Sequence, residues 1–137
     1  MSHTNDTLEI AAAGLAAQRA RMRVISENIA NAQSVSSEPG GDPYRRQVPV
    51  FDAELDKYTG LNLVQMNEVH EDQSDFQLRY EPGHPAADLE GYVKYPNVQT
   101  LVEMMDMREA MRTYEANLNM IDNTRRMMER TLDLLRR

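Results

Sequence analysis

The side chains of this 137-residue chain that could do acid–base or metal chemistry are three histidines and twenty-two acids. His70 stands among Glu68, Glu71 and Asp72, a set with the right donors for a divalent cation. Neighbouring residues of an extended strand point to opposite faces, so that group does not converge and reads as a solvated acidic strand end. His84 lies between Gly83 and Pro85 and reads as a turn residue rather than a general base. His3 lies close to the N-terminus. There is no cysteine, which excludes a thiolate nucleophile, a disulfide framework and a Cys-based zinc site. No zinc-protease helix motif, nucleophile elbow, P-loop or dinucleotide fingerprint occurs, and no acid pair stands out as a general acid/base couple. The expectation is a protein with no catalytic residues, metal, cofactor or small-molecule substrate, hence not an enzyme.

The polar residues that do stand out are asparagines. Asn28, Asn31 and Asn117 occupy stretches that otherwise favour helix, where Asn is a poor former. In a heptad frame Asn28 and Asn117 both fall at g, flanking the apolar stripe. There an amide can hydrogen-bond to neighbouring helices and set register. Asn31 reads as a helix end. Methionine is the other marked residue, with seven of the ten between Met104 and Met128. A methionine stripe at helical spacing is ordinarily core, and flexible thioethers also fit non-identical neighbours.

Two helices must carry these residues. From about Asn5 to Gln33, Leu8, Leu15, Met22 and Ile29 recur every seven residues, with Ala11, Gln18, Ile25 and Ala32 at the complementary position. Asp6 with Glu9 suits a capping box. From Asn97, a candidate cap after Pro96, the second helix places Met104, Met111, Leu118 and Leu132 on one heptad position, with Arg125 as its exception. Met107, Tyr114, Ile121, Met128 and Leu135 take the other. Between them, 34–43 is a breaker-rich loop. Tyr44–Phe51, Leu61–Val69 and Phe76–Tyr80 read as short strands, and Glu81–Pro85 reads as a turn.

The predicted fold class is therefore mainly α with a small β insertion. An N-terminal helix (1–33) and a C-terminal helix (97–137) pair as one elongated, discontinuous coiled-coil-like domain, with a loop and antiparallel β insertion (34–96) between them. The insertion holds twelve acids against five bases and so accounts for the net charge of −7. No segment carries a net excess of bases, which argues against nucleic acid and acidic lipid as partners. No apolar run is long enough to span a bilayer, and no Sec-type signal peptide is present.

Gly14 followed by Ile25-Ser26-Glu27-Asn28-Ile29-Ala30-Asn31-Ala32 resembles the N-terminal signature of the flagellar axial proteins, the family of rod, hook and hook-associated subunits. Tyr114-Glu115-Ala116-Asn117 is similar to the family's C-terminal signature. Tyr80-Glu81-Pro82-Gly83-His84-Pro85, continuing through Gly91-Tyr92 to Pro96-Asn97-Val98, resembles a segment specific to one short proximal rod protein, as do Pro43-Tyr44-Arg45-Arg46 and Phe51. The resemblance covers nearly the whole chain. Gln99-Thr100 and the charged C-terminus depart from the family's usual pattern. The resemblance implies a structural subunit of the basal-body rod in the periplasm, exported by the flagellar type III apparatus without a cleaved signal. Its implied partners are copies of itself and other rod proteins. The implied subunit-packing residues are Leu15, Met22, Ile25, Asn28, Ile29, Asn31, Met111, Tyr114, Asn117, Leu118 and Ile121. Tyr80, Pro82, Gly83, Pro85, Gly91, Tyr92, Pro96 and Asn97 mark the specific segment. A coiled-coil adaptor would share the heptads without needing the asparagine signatures, and another short rod protein would lack the Gly91–Val98 segment.

Overall fold

The computed structural model describes residues 2–137. In chain order the elements are α1 (Ser2–Ala30), β1 (Gln47–Leu55), β2 (Asn62–Glu71), β3 (Gln77–Tyr80), β4 (Tyr92–Tyr95) and α2 (Thr100–Leu135). Two long helices pack together, with two separate two-stranded sheets, β1–β2 and β3–β4, between them in sequence. The mainly helical class with a small β insertion is thus the observed one.

Several boundaries differ from expectation. The first helix already includes Ser2, so Asp6 lies inside it and caps nothing. Nothing in Ser2–Asn5 breaks a helix, and Thr7 Oγ1 donates back to the His3 carbonyl at 2.9 Å. The last turn closes where Asn31 Nδ2 donates to the Glu27 carbonyl and Ser34 Oγ donates to Asn31 Oδ1. The second helix begins at Thr100, not Asn97. The Asn97 amide is engaged elsewhere, and the Gln99 carbonyl accepts the Glu103 N–H. Strand β4 was not expected, although Tyr92–Tyr95 alternates exposed and buried side chains as a half-buried strand does.

The chain forms two compact units: Met1–Met22 with Val50–Glu68 and Arg108–Arg137, and Arg23–Pro49 with Val69–Met107. In the first, small buried residues (Ala11, Ala17, Ala110, Thr124) let the helices approach closely. A Cβ on Gly14 would come within 2.9 Å of Asn117 Nδ2, so the bare glycine makes room for that amide. The β-hairpin closes on Asp56, whose Oδ1 accepts from the N–H groups of Tyr58 and Thr59, and on Gly60, whose positive φ of 72° lies in the left-handed region that glycine adopts without strain. The Ala13, Ala16, Ala17 and Ala20 face of α1 lines, with Leu63–Met66, a groove of about 310 Å³.

In the second unit β3 and β4 pair antiparallel, Gln77 opposite Tyr95 and Tyr80 opposite Tyr92. Val93 and Tyr95 turn inward onto Ala86, with Val35 and Ala87 packed around them. Val24, Ile25, Asn28 and Ala32 of the α1 end, and Pro96, Asn97, Val98 and Glu103, are also buried.

The α2 seam sits one residue away from the predicted frame. Met107, Tyr114, Ile121 and Met128 are half-buried as expected, but Leu135 is exposed. Glu103, Ala110, Asn117 and Thr124, not Met104, Met111, Leu118 and Leu132, take the other inward position; the latter four are between 40% and 50% exposed. Close helix approach selects small side chains at that position, and the bulky apolar ones lie outside it.

Candidate assembly interface

The second unit is organised by a buried polar cluster. Asn28 is 1% exposed. Its Oδ1 accepts from Gln47 N at 2.9 Å and from the Tyr44 hydroxyl at 2.8 Å. Its Nδ2 donates to the Gln47 carbonyl at 2.8 Å. One carboxamide thus satisfies both main-chain groups of Gln47, as a neighbouring strand would. Nδ2 also lies 3.5 Å from Glu103 Oε2 on α2. The amide does bond to a neighbouring helix, but within the chain.

Asn97 works one residue earlier, on the Arg46 N–H alone. Its Oδ1 accepts from Arg46 N at 2.7 Å, and its Nδ2 donates to the Asp72 and Ser74 carbonyls at 2.9 and 3.2 Å. Two asparagines, one on α1 and one in the link between β4 and α2, therefore fix the consecutive residues Arg46 and Gln47 that lead into β1.

Between them, the Arg46 guanidinium gathers three carboxylates. Nε donates to Glu103 Oε1, Nη1 lies 3.3 Å from Asp72 Oδ2, and Nη2 lies 3.9 Å from Asp106 Oδ2. Glu103 is 1% exposed and Arg46 is its cation. Burial works against the Arg46 charge, but the Glu103 and Asp72 carboxylates outweigh it and hold its pKa above the ordinary value. Desolvation, with Glu27 and Glu103 nearby, pushes the Tyr44 hydroxyl up. Bonds from the Ser74 N–H and hydroxyl, then Arg46, pull the Asp72 carboxyl down. The cluster fixes the geometry of the unit. Among the described residues no group of three His, Asp or Glu side chains is placed to hold a metal ion. No helix among them is long and apolar enough to cross a membrane.

Of the residues expected to pack subunits, Ile25 and Asn28 are buried within the chain. Leu15, Met22, Ile29, Asn31, Tyr114, Asn117 and Ile121 are half-buried, and Met111 and Leu118 are exposed. The specific segment splits in the same way. Gly91, Pro96 and Asn97 are buried, whereas Tyr80, Pro82, Gly83, Pro85 and Tyr92 are exposed. His84 sits in its turn, Nδ1 accepting from Ala86 N at 3.0 Å. Sequence reasoning missed Glu103 as a buried group. Its position beside Met104 in the heptad frame was the available signal.

Comparison with known proteins agrees with this architecture. Residues 8–35 match the model described as "Flagella basal body rod protein", and residues 89–134 match "Flagellar basal body rod FlgEFG protein C-terminal". The protein named flagellar basal-body rod protein FlgC from Agrobacterium fabrum is 50% identical over 128 residues, 93% of this chain and 92% of that one. Its namesake in Salmonella typhimurium is 41% identical over 126 residues, 92% and 93% of the two chains. That in Bacillus subtilis is 34% identical over 143 residues, 93% and 95%. The chain belongs to the FlgC family of flagellar basal-body rod proteins. As in that family, its work is structural and its place is the rod of the basal body, where FlgC proteins assemble with other basal-body components. The C-terminal signature falls on α2 and the N-terminal one on α1 and the turn just past it, Gly14 and Asn117 meeting in one unit and Asn28 anchoring the other.

Proposed function

We propose that this FlgC-family subunit builds the proximal part of the rod, polymerising with its own copies and with other rod proteins into a drive shaft around an export channel. It acts without catalysing any reaction. Delivery is by the flagellar type III apparatus, and 1–33 and 97–137 serve as one rod-building domain carrying the 34–96 insertion. The observation that supports this is the row of Met104, Met111, Leu118 and Leu132 along α2, large apolar side chains left 40–50% exposed by the single chain. An exposed apolar stripe on a helix, broken here only by Arg125, calls for a partner. Leu15, Met22, Ile29, Asn31, Tyr114, Asn117 and Ile121 border the helix pair and complete the packing surface; Ile25 and Asn28 act from beneath it. Deleting the gene tests the reading. The expected result is assembly arrested at the basal body and loss of swimming, with growth unchanged. Normal hooks and filaments on the deletion strain would refute it.

A further inference from the structure

Two faces of different chemistry stand uncovered on this chain. The first is the outer face of the β3–β4 ladder. Leu78, Tyr80 and Tyr92 alternate outward there, opposite the buried Val93 and Tyr95, and Leu89 in the preceding turn is fully exposed. This face is built rather than incidental. The Tyr80 and Tyr92 rings meet edge to face with centroids 5.3 Å apart. Gly91, at φ 91, lets Tyr80 lie so close that a Cβ would come within 2.9 Å of the ring. Rigid, preset tyrosines of this kind are what protein interfaces use as anchors. One cation, Lys94 opposite Leu78, also stands on this face and pairs with Asp42 Oδ1 at 3.3 Å; the other charges beside the ladder are acidic, Glu90 and Asp75 exposed and Asp88 half-buried.

The second face runs down α2. Leu101, Met104, Met105, Arg108, Met111 and Arg112 follow the three- and four-residue spacing of a single helix face, and all are exposed. Of the acids nearby, Glu103 and Asp106 turn toward Arg46 and Glu109 toward Arg21 at 3.8 Å, and the exposed Glu115 follows only at the end of the face, after Arg112. The face is therefore apolar, thioether-rich and basic.

The two faces complement each other in charge and in chemistry. Sulfur packs favourably against aromatic rings, and guanidinium stacks on them. The chain already uses the latter contact internally, with Arg45 over Phe76 and Arg79 over Tyr95, each 4.2 Å from the ring centroid. We propose that the acidic tyrosine face of one copy receives the basic methionine face of α2 from a second copy. Because the two faces differ, the contact is head-to-tail, the kind that generates rings or helical arrays rather than closed dimers. This deepens, and rests on, the rod-subunit reading by naming the surface that a neighbouring copy covers.

The absence of cysteine makes the test clean. Leu89→Cys and Met105→Cys are introduced singly and together in the full chain, in a strain lacking its own copy, and basal bodies are oxidised and run without reductant. Together in one chain they should give a ladder of dimers and higher species. Coexpressed as single variants they should give dimers only, and each alone should give none. Glu90→Cys with Arg108→Cys reads the same contact if the first pair fails to accumulate. The charge swap Glu90→Arg should abolish the ladder in the Leu89→Cys/Met105→Cys background, and Arg108→Glu with Arg112→Glu should restore it. Swimming cells with no ladder from either pair would overturn the contact while leaving the rod reading intact. A dimer from Leu89→Cys alone, as strong as from the mixture, would overturn it in favour of a symmetric contact. Failure of the unmodified chain to restore rods would instead refute the rod reading itself.

Discussion

Replacing Arg46 by Met is the sharpest perturbation of the fold. Of the three carboxylates it meets, Asp72 and Asp106 have side chains 29% and 35% exposed, so their pairs are worth little beyond solvent screening. Glu103 decides the outcome, because it is 1% exposed and keeps only the Asn28 amide, at 3.5 Å, once Arg46 is gone. Stranding a buried charge in this way costs about 3–5 kcal/mol. With about 1–3 kcal/mol per molar urea for a domain of this size, the unfolding midpoint should fall by roughly 1–5 M. Arg46→Met with Glu103→Leu should recover most of the loss, since two apolar groups replace an ion pair at little net cost. Urea titration of the full chain, followed by helical circular dichroism, reads both. A single variant within about 1 kcal/mol of wild type, or a double variant no better than the single, would refute the assignment of Glu103 as a buried, Arg46-dependent charge.

Asn28→Leu should destabilise the isolated subunit by about 2–4 kcal/mol, because Gln47 N–H, Gln47 C=O and the Tyr44 hydroxyl all lose their partner. Its motility defect should therefore accompany loss of folded subunit, as midpoint measurements and protease sensitivity would show. Gly91→Ala should cost about 1–3 kcal/mol through its left-handed backbone and the Tyr80 ring, measurable as a lowered Tm. Asp72 sits below its ordinary pKa in the folded chain, so its contribution is present above about pH 4 and is lost as pH falls through 3.8 and below. Asp72→Asn should accordingly be less stable than wild type at neutral pH, with the two acid-unfolding curves converging below pH 4.

The two helices, the loop and three of the four strands were legible because heptads, breaker clusters and alternation are local signals. The α2 frame was not. Hydrophobic periodicity points to Met104, Met111 and Leu118, whereas packing within the chain selects the smaller Ala110, Asn117 and Thr124 one residue earlier. A sequence cannot say which of two adjacent stripes is kept for the chain itself. Glu103 was hidden for a related reason. Its burial is tolerable only because Arg46, 57 residues away, reaches it. Asn28 stood out as an asparagine within a helix and Asn97 as a candidate cap, but their main-chain partners, Gln47 at the start of β1 and Arg46 just before it, lie 19 and 51 residues off.

Single cysteines at Met111 and Leu118 test the central claim most directly, by maleimide labelling of the free subunit beside isolated basal bodies. Both positions are open in the single chain, 48% and 40% exposed. If the α2 stripe is the surface on which the rod is built, labelling is rapid in the free subunit and at least about ten-fold slower in the rod, a change of about 1.4 kcal/mol or more in accessibility. Equal labelling in the two states would show that the stripe stays exposed in the assembled rod, and would contradict the account.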